Sequence, residues 1–328
     1  MKRILIPIFL ISLLVFAGCS SDDNGGTNPP PVDKPPRPVA VVKATAPSMT
    51  NANDPIWNDV DSAEVDLARA GAAKMPVGKS AVVTDKANVQ AIINGTKLYL
   101  RFTWEDDSLH ILKDYWYLSD PDNFNFTRRT DYAEDQLIVL FDGLPSNAMD
   151  VWYWRALTTG AGNLAEGFNY AGGVFTRDAG AEVVAKDNAV FGDNSRPKYV
   201  HKDGSNFTGL ILYQTDTVAT STFVGGTLWP DGFIVPGWYI DSTVASRTLS
   251  GPQKQSRWDI QATSIYSAEA NRLTLVLSRE LNTGYTDDLD LSALDSVQIK
   301  MIVIDNQDDP LPNNNSNQSS SDLFWLIL

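Results

Sequence analysis

Few residues in this chain are of types that perform covalent or metal chemistry, and their spacing narrows the options quickly. Cys19 is the sole cysteine of 328 residues, so neither an intramolecular disulfide, a Cys-x-x-Cys-His attachment nor a cysteine-rich zinc set can be assembled. The two histidines, His110 and His201, stand far apart and match no zinc spacing. A hydrolytic triad lacks its Gly-x-Ser-x-Gly elbow. Forty acidic residues hide any glycosidase-type carboxylate pair. The run Glu105-Asp106-Asp107 offers hard oxygen ligands to calcium, with a solvated loop as the other reading. Met149 offers a soft thioether shortly before Trp152 and Trp154. Those two tryptophans stand two apart and so share one face of a strand, which is either core or the wall of a pocket for a flat ligand.

The amino terminus carries an address. Lys2 and Arg3 precede an apolar stretch from Ile4 to Phe16, then Ala17 and Gly18, the order of a secretory signal peptide over residues 1–18. The stretch is too short for a spanning helix of about 20 residues. Val15-Phe16-Ala17-Gly18-Cys19 resembles the lipobox of bacterial lipoproteins, which implies cleavage before Cys19 and acylation of its thiol. Lipidation also gives a purpose to a lone thiol in an oxidising compartment, and more than one acyl chain makes a stable membrane anchor. Ser20 resembles the outer-membrane sorting residue of Gram-negative lipoproteins. Residues 19–38 are rich in Gly, Pro and charge, as a disordered linker is.

The elements that must position any site lie in residues 39–328, enough for one large domain. The formal net charge of −14 argues against partnership with nucleic acid or anionic lipid headgroups. Strand-length runs of apolar, β-branched and aromatic residues recur at Ser80 to Thr84, Val89 to Ile93, Lys97 to Trp104, Gln136 to Phe141, Val151 to Leu157, Gly209 to Gln214, Asp259 to Tyr266, Arg272 to Ser278 and Val297 to Ile304. Asn94-Gly95 marks a hairpin. Asp61 to Ala73 is the one stretch with room for a helical turn or two, and the last six residues, from Leu323, read as a final core strand. With no constant repeat, the expectation is an all-β protein, a β-sandwich with long loops and little helix.

Three blocks read together resemble one family. The first is Asp54-Pro55-Ile56-Trp57, followed by the segment Val89 to Asp106. The second is Tyr132-Ala133-Glu134-Asp135-Gln136-Leu137, then Asp150-Val151-Trp152-Tyr153-Trp154-Arg155-Ala156. The third combines Val235-Pro236-Gly237, Arg257-Trp258-Asp259, Ser278-Arg279-Glu280, Asp287-Asp288 and Ile304-Asp305-Asn306. Their order is similar to that of the haem-binding domain in the gamma subunit of ethylbenzene dehydrogenase and related molybdoenzymes, whose sandwich is similar to family 9 carbohydrate-binding modules. The resemblance implies one non-covalent haem b with Met and Lys axial ligands. Met149 and Lys254 are the candidate ligands, Lys202 is a further lysine, and Trp152 and Trp154 are candidate pocket walls. A thioether raises the haem potential, and lysine binds iron only as the neutral amine, which burial favours.

Two classes of function follow. One is a membrane-anchored, extracytoplasmic haem b protein that is not itself an enzyme and passes electrons to or from a partner oxidoreductase. The other is a carbohydrate-binding surface module that stacks sugars on exposed tryptophans. A structural subunit of an extracytoplasmic complex is the third reading.

Overall fold

The computed structural model describes residues 37–69, 84–130, 133–180, 185–190, 193–200, 212, 214, 216–218, 232–240, 255–307 and 318–328. They belong to the unit Pro35–Leu328, and Cys19, Lys202 and Lys254 lie outside them. Two sheets face each other. Strands β1 (Ala40–Val42), β2 (Ala63–Asp66), β3 (Ala68–Arg69), β4 (Lys86–Asn94) and β5 (Lys97–Glu105) come first. They are followed by β6 (Glu134–Leu144), β7 (Ala148–Arg155), β8 (Glu166–Ala171), β9 (Val174–Arg177) and β10 (Gln261–Ser267). The last are β11 (Arg272–Glu280), β12 (Ser296–Gln307), β13 (Gln318–Ser320) and β14 (Phe324–Ile327).

The first sheet runs β1-β4-β5-β11-β10, with β2 sharing the β1 edge of β4. The second runs β9-β8-β7-β6-β12-β13-β3, with β14 beside β13 on β12. Alternation makes the sandwich. On β5, Leu98, Leu100, Phe102 and Trp104 point between the sheets, opposite Leu137, Val139 and Phe141 of β6 and Met301 and Val303 of β12. The other face of β5 carries Tyr99, Arg101 and Thr103.

The expected β-sandwich is therefore present, and two local expectations change. The Asp61 to Ala73 stretch holds strands β2 and β3 over its described part rather than helical turns. Val65 and Leu67 are buried while Glu64 and Asp66 are exposed, a period of two. The β4–β5 hairpin pairs Asn94 with Lys97, so its central residues are Gly95 and Thr96. With φ +59 at Gly95, glycine takes the first central position, as a type II′ turn requires. Phe324 and Leu326 are buried in the main core, so the carboxy-terminal segment is a core strand.

A smaller core is built from insertions into the sandwich. Trp116–Asp120 pairs with Asn125–Arg128 and with Ile234–Val235. Trp116, Leu118, Phe126, Tyr199 and Tyr239 pack together there. Runs of apolar residues too short to register as independent strands gain their stability from this shared burial.

Candidate functional site

Strand β7 carries most of the residues nominated for a flat cofactor, and its pleat divides them. Trp152 and Trp154 point inward and are completely buried in the main core. Trp152 lies 4.7 Å from Phe141 between ring centroids, and the Arg279 guanidinium stands 4.9 Å from its ring. Met149 points to the opposite side, where it is half-buried against Ile138, Leu140, Val151, Tyr153, Phe168 and Ile304, with Tyr170 and Phe175 beside it. A whole sheet separates the thioether from the two indoles. The three side chains therefore do not line one pocket, because residues an odd number apart on a strand face opposite ways. The aromatic surface that shares Met149's face is Tyr153, Phe168, Tyr170 and Phe175.

The acidic run at the end of β5 is likewise split by alternation. Glu105 is exposed, whereas Asp106 turns in and accepts the Trp104 Nε1 hydrogen bond at 3.2 Å. Ligand atoms of Asp106, Asp107, His110 and Asp305 all lie within 4.8 Å of one another, a grouping able to hold a metal ion. His110 Nδ1 sits 3.0 Å from Asp135 Oδ1 and 3.2 Å from Asp305 Oδ1, and its backbone N–H donates to Asp135 Oδ2 at 2.7 Å. Burial pulls the His110 pKa downward, but hydrogen bonds to and charge from Asp135 and Asp305 outweigh it and push it up to about 10. The imidazolium thus supplies a positive charge at the carboxylate cluster. Burial, then the charges of Asp135 and Asp305, raise the pKa of Asp106.

Two further buried polar groups follow, of which the first ties the sheets together and the second joins neighbouring strands of the second sheet to the Ser256–Trp258 turn. Arg279 of β11 is buried and donates to Asp150 of β7 (2.5 Å) and to Asp288 (3.2 Å), and Asp150 also accepts the Leu289 N–H at 2.9 Å. Glu166 of β8, completely buried, takes ion pairs from Arg155, from Arg177 at 3.1 Å and from Arg257 at 2.5 Å. Asp178 lies nearby, where burial and then the charges of Asp150, Asp287 and Asp288 push its carboxyl up to about 8. Of these residues, Asp135, Asp150, Arg257, Arg279, Asp288 and Asp305 all belong to the three motif blocks. Sequence reading placed them in a pattern without giving them partners. For Asp135, Asp150, Arg279 and Asp305 the signal was charge inside otherwise apolar strands, which demands a buried counter-charge; Arg257 and Asp288 lie outside the strands.

The same blocks lie inside the segment that shows the kinship. Residues 54–308 match the family described as ethylbenzene dehydrogenase. The chain belongs to the ethylbenzene dehydrogenase family. The chain is also similar to the chlorate reductase subunit gamma of Ideonella dechloratans, 24% identical over 203 residues that cover 61% of this chain and 82% of that protein. Among solved structures, it is similar to a proposed carbohydrate-binding protein from Bacteroides uniformis. That likeness covers 89% of this chain and 99% of the other at 6% identity, with a TM-score of 0.35, too distant to bear on a ligand. The segment matched to the ethylbenzene dehydrogenase family takes in both sheets except β1, β13 and β14, together with Met149, the buried tryptophans and the polar ties.

Proposed function

We propose that this member of the ethylbenzene dehydrogenase family is a non-catalytic, lipid-anchored subunit that carries haem b and exchanges electrons with a partner oxidoreductase outside the cytoplasm. The observation that carries the reading is the family match over 54–308, joined by a relative that is itself the gamma subunit of a reductase. When bound, haem supplies one-electron redox chemistry.

The residues fit that group in part. Met149 would offer a soft thioether from a half-buried position, and Tyr170 and Phe175, 4.6 Å apart, would give apolar contact to a flat ring. Arg177, over the Phe168 ring at 5.6 Å and half exposed, would offer charge to an acidic side group. Trp152 and Trp154 do not fit as walls, since they are the centre of the fold. Lys254 and Lys202 are kept as candidate second ligands.

The sugar-stacking reading loses its main support. Trp57, Trp104, Trp116, Trp152, Trp154 and Trp258 are all buried, Trp238 is half-buried, and among the described tryptophans only Trp325 is exposed, at 38%. Titration of haem b into the purified full-length chain, followed by absorbance, tests the proposal. Saturation at one haem per chain is expected, and uptake no greater than that of an unrelated protein would sink it.

A further inference from the structure

The outer face of the six-stranded sheet carries chemistry that the redox reading leaves unused. Register lines it up in rungs. Thr103 of β5 stands opposite Asn88 of β4 and Thr274 of β11, and Thr274 stands opposite Ile265 of β10. One rung along, Arg101 stands opposite Gln90. On the other side, Arg272 stands opposite Ser267. All are even steps apart on their strands, so all project away from the core into one cleft of about 420 Å³. That volume lies in the lower part of the range of small-molecule sites, roughly 300–1,000 Å³.

The two guanidiniums set the cleft apart. Arg101 Nε donates to the Ala52 carbonyl at 3.2 Å, Nη1 to Gln90 Oε1 at 2.7 Å and Nη2 to Asn53 Oδ1 at 3.3 Å. These neutral acceptors hold the fork in place and leave part of its five-donor capacity unspent. Burial, and then the like charge of Arg272, disfavour the Arg101 cation, and no carboxylate offsets them. Among the described residues neither arginine is paired with a carboxylate. By contrast Arg128, Arg155, Arg177, Arg257 and Arg279 all meet one. In a chain of net charge −14, two arginines that make no ion pair among the described residues, although Glu105 stands opposite Arg272 in register, flank a hydroxyl floor and form a positive spot aimed at a ligand.

We propose that this cleft is a second binding site, in which Arg101 and Arg272 clasp the carboxylate of a small polyhydroxylated anion of the sugar-acid class. Thr103, Thr274, Asn88 and Ser267 provide hydrogen bonds for its hydroxyls. Ile265, 39% exposed, offers an apolar contact for a C–H face. The site lies on the sheet opposite to Met149's and is independent of the haem reading.

Calorimetric titration of the full-length chain at low salt tests it with three probes: galacturonate, galactose, which lacks only the carboxylate, and acetate, which lacks the hydroxyls. Galacturonate is expected to bind one per chain and at least roughly tenfold more tightly than either of the others, as a charge-assisted contact implies. Arg272→Gln should weaken it by roughly tenfold or more, as should Arg101→Gln. Because Arg101 also holds the Ala52–Asn53 segment, the exposed Arg272 is the decisive position. Galacturonate binding no tighter than that of galactose or acetate, or an affinity unchanged in Arg272→Gln, would overturn the assignment.

Discussion

His110 lies between Asp135 and Asp305, and Asp178 is buried among Asp150, Asp287 and Asp288. Each titrating group holds its proton more firmly folded than unfolded, so the folded chain binds the extra proton. The stability each contributes is complete below its unfolded pKa and is lost as pH rises through its folded one. For Asp178 that window runs from 3.8 to about 8, and for His110 from 6.5 to about 10. Asp106 and Asp135, also raised chiefly by burial, act in the same direction. The melting temperature should therefore fall from about pH 5 to about pH 9, as measured by thermal denaturation across that range. A flat or rising profile would contradict the assignment. Calcium should soften the fall at alkaline pH by binding the freed carboxylates of the Asp106–Asp107–His110–Asp305 group. If it leaves the alkaline melting temperature unchanged, the ion has no place there.

Strands explain both what could be read in advance and what could not. The Val89 to Ile93 and Lys97 to Trp104 runs, the Arg272 to Ser278 run and the carboxy-terminal strand carry strong periodicity, and they stand in the core as the pattern requires. Alternation also held the answer for β7, since Met149 and Trp152 are three residues apart and had to face opposite sides. Which side faced the core depends on the partner sheet, which is not local information. The strands around Trp116 and Tyr199 were invisible for a related reason, being stabilised by a core assembled from distant insertions. The polar ties were legible only as charges in apolar strands. Arg279 joins β11 to β7, and removing it leaves Asp150 and Asp288 buried without their cation. Arg279→Met should cost about 3–5 kcal/mol in urea unfolding. A loss below about 1 kcal/mol would show that the tie is dispensable.

At the scale of the whole molecule, a sandwich that presents Met149 on one outer face and a two-arginine cleft on the other is proposed to stand off a membrane on a Gly- and Pro-rich segment ending at Cys19. With Cys19 proposed as the lipid site and no other cysteine in the sequence, any cofactor is proposed to be held without thiolate or thioether attachment to cysteine. Cys19→Ser should move the protein from the membrane fraction to the soluble fraction of the producing cell on fractionation. Retention in the membrane would place the anchor elsewhere. The electron-transfer reading itself stands most directly on a reduced-minus-oxidised difference spectrum of the haem-reconstituted chain. The expected result is a Soret band that shifts on chemical reduction, persists in Trp152→Phe and is altered or lost in Met149→Ala. A chain that takes up no haem, or a Soret band indifferent to Met149, would contradict it.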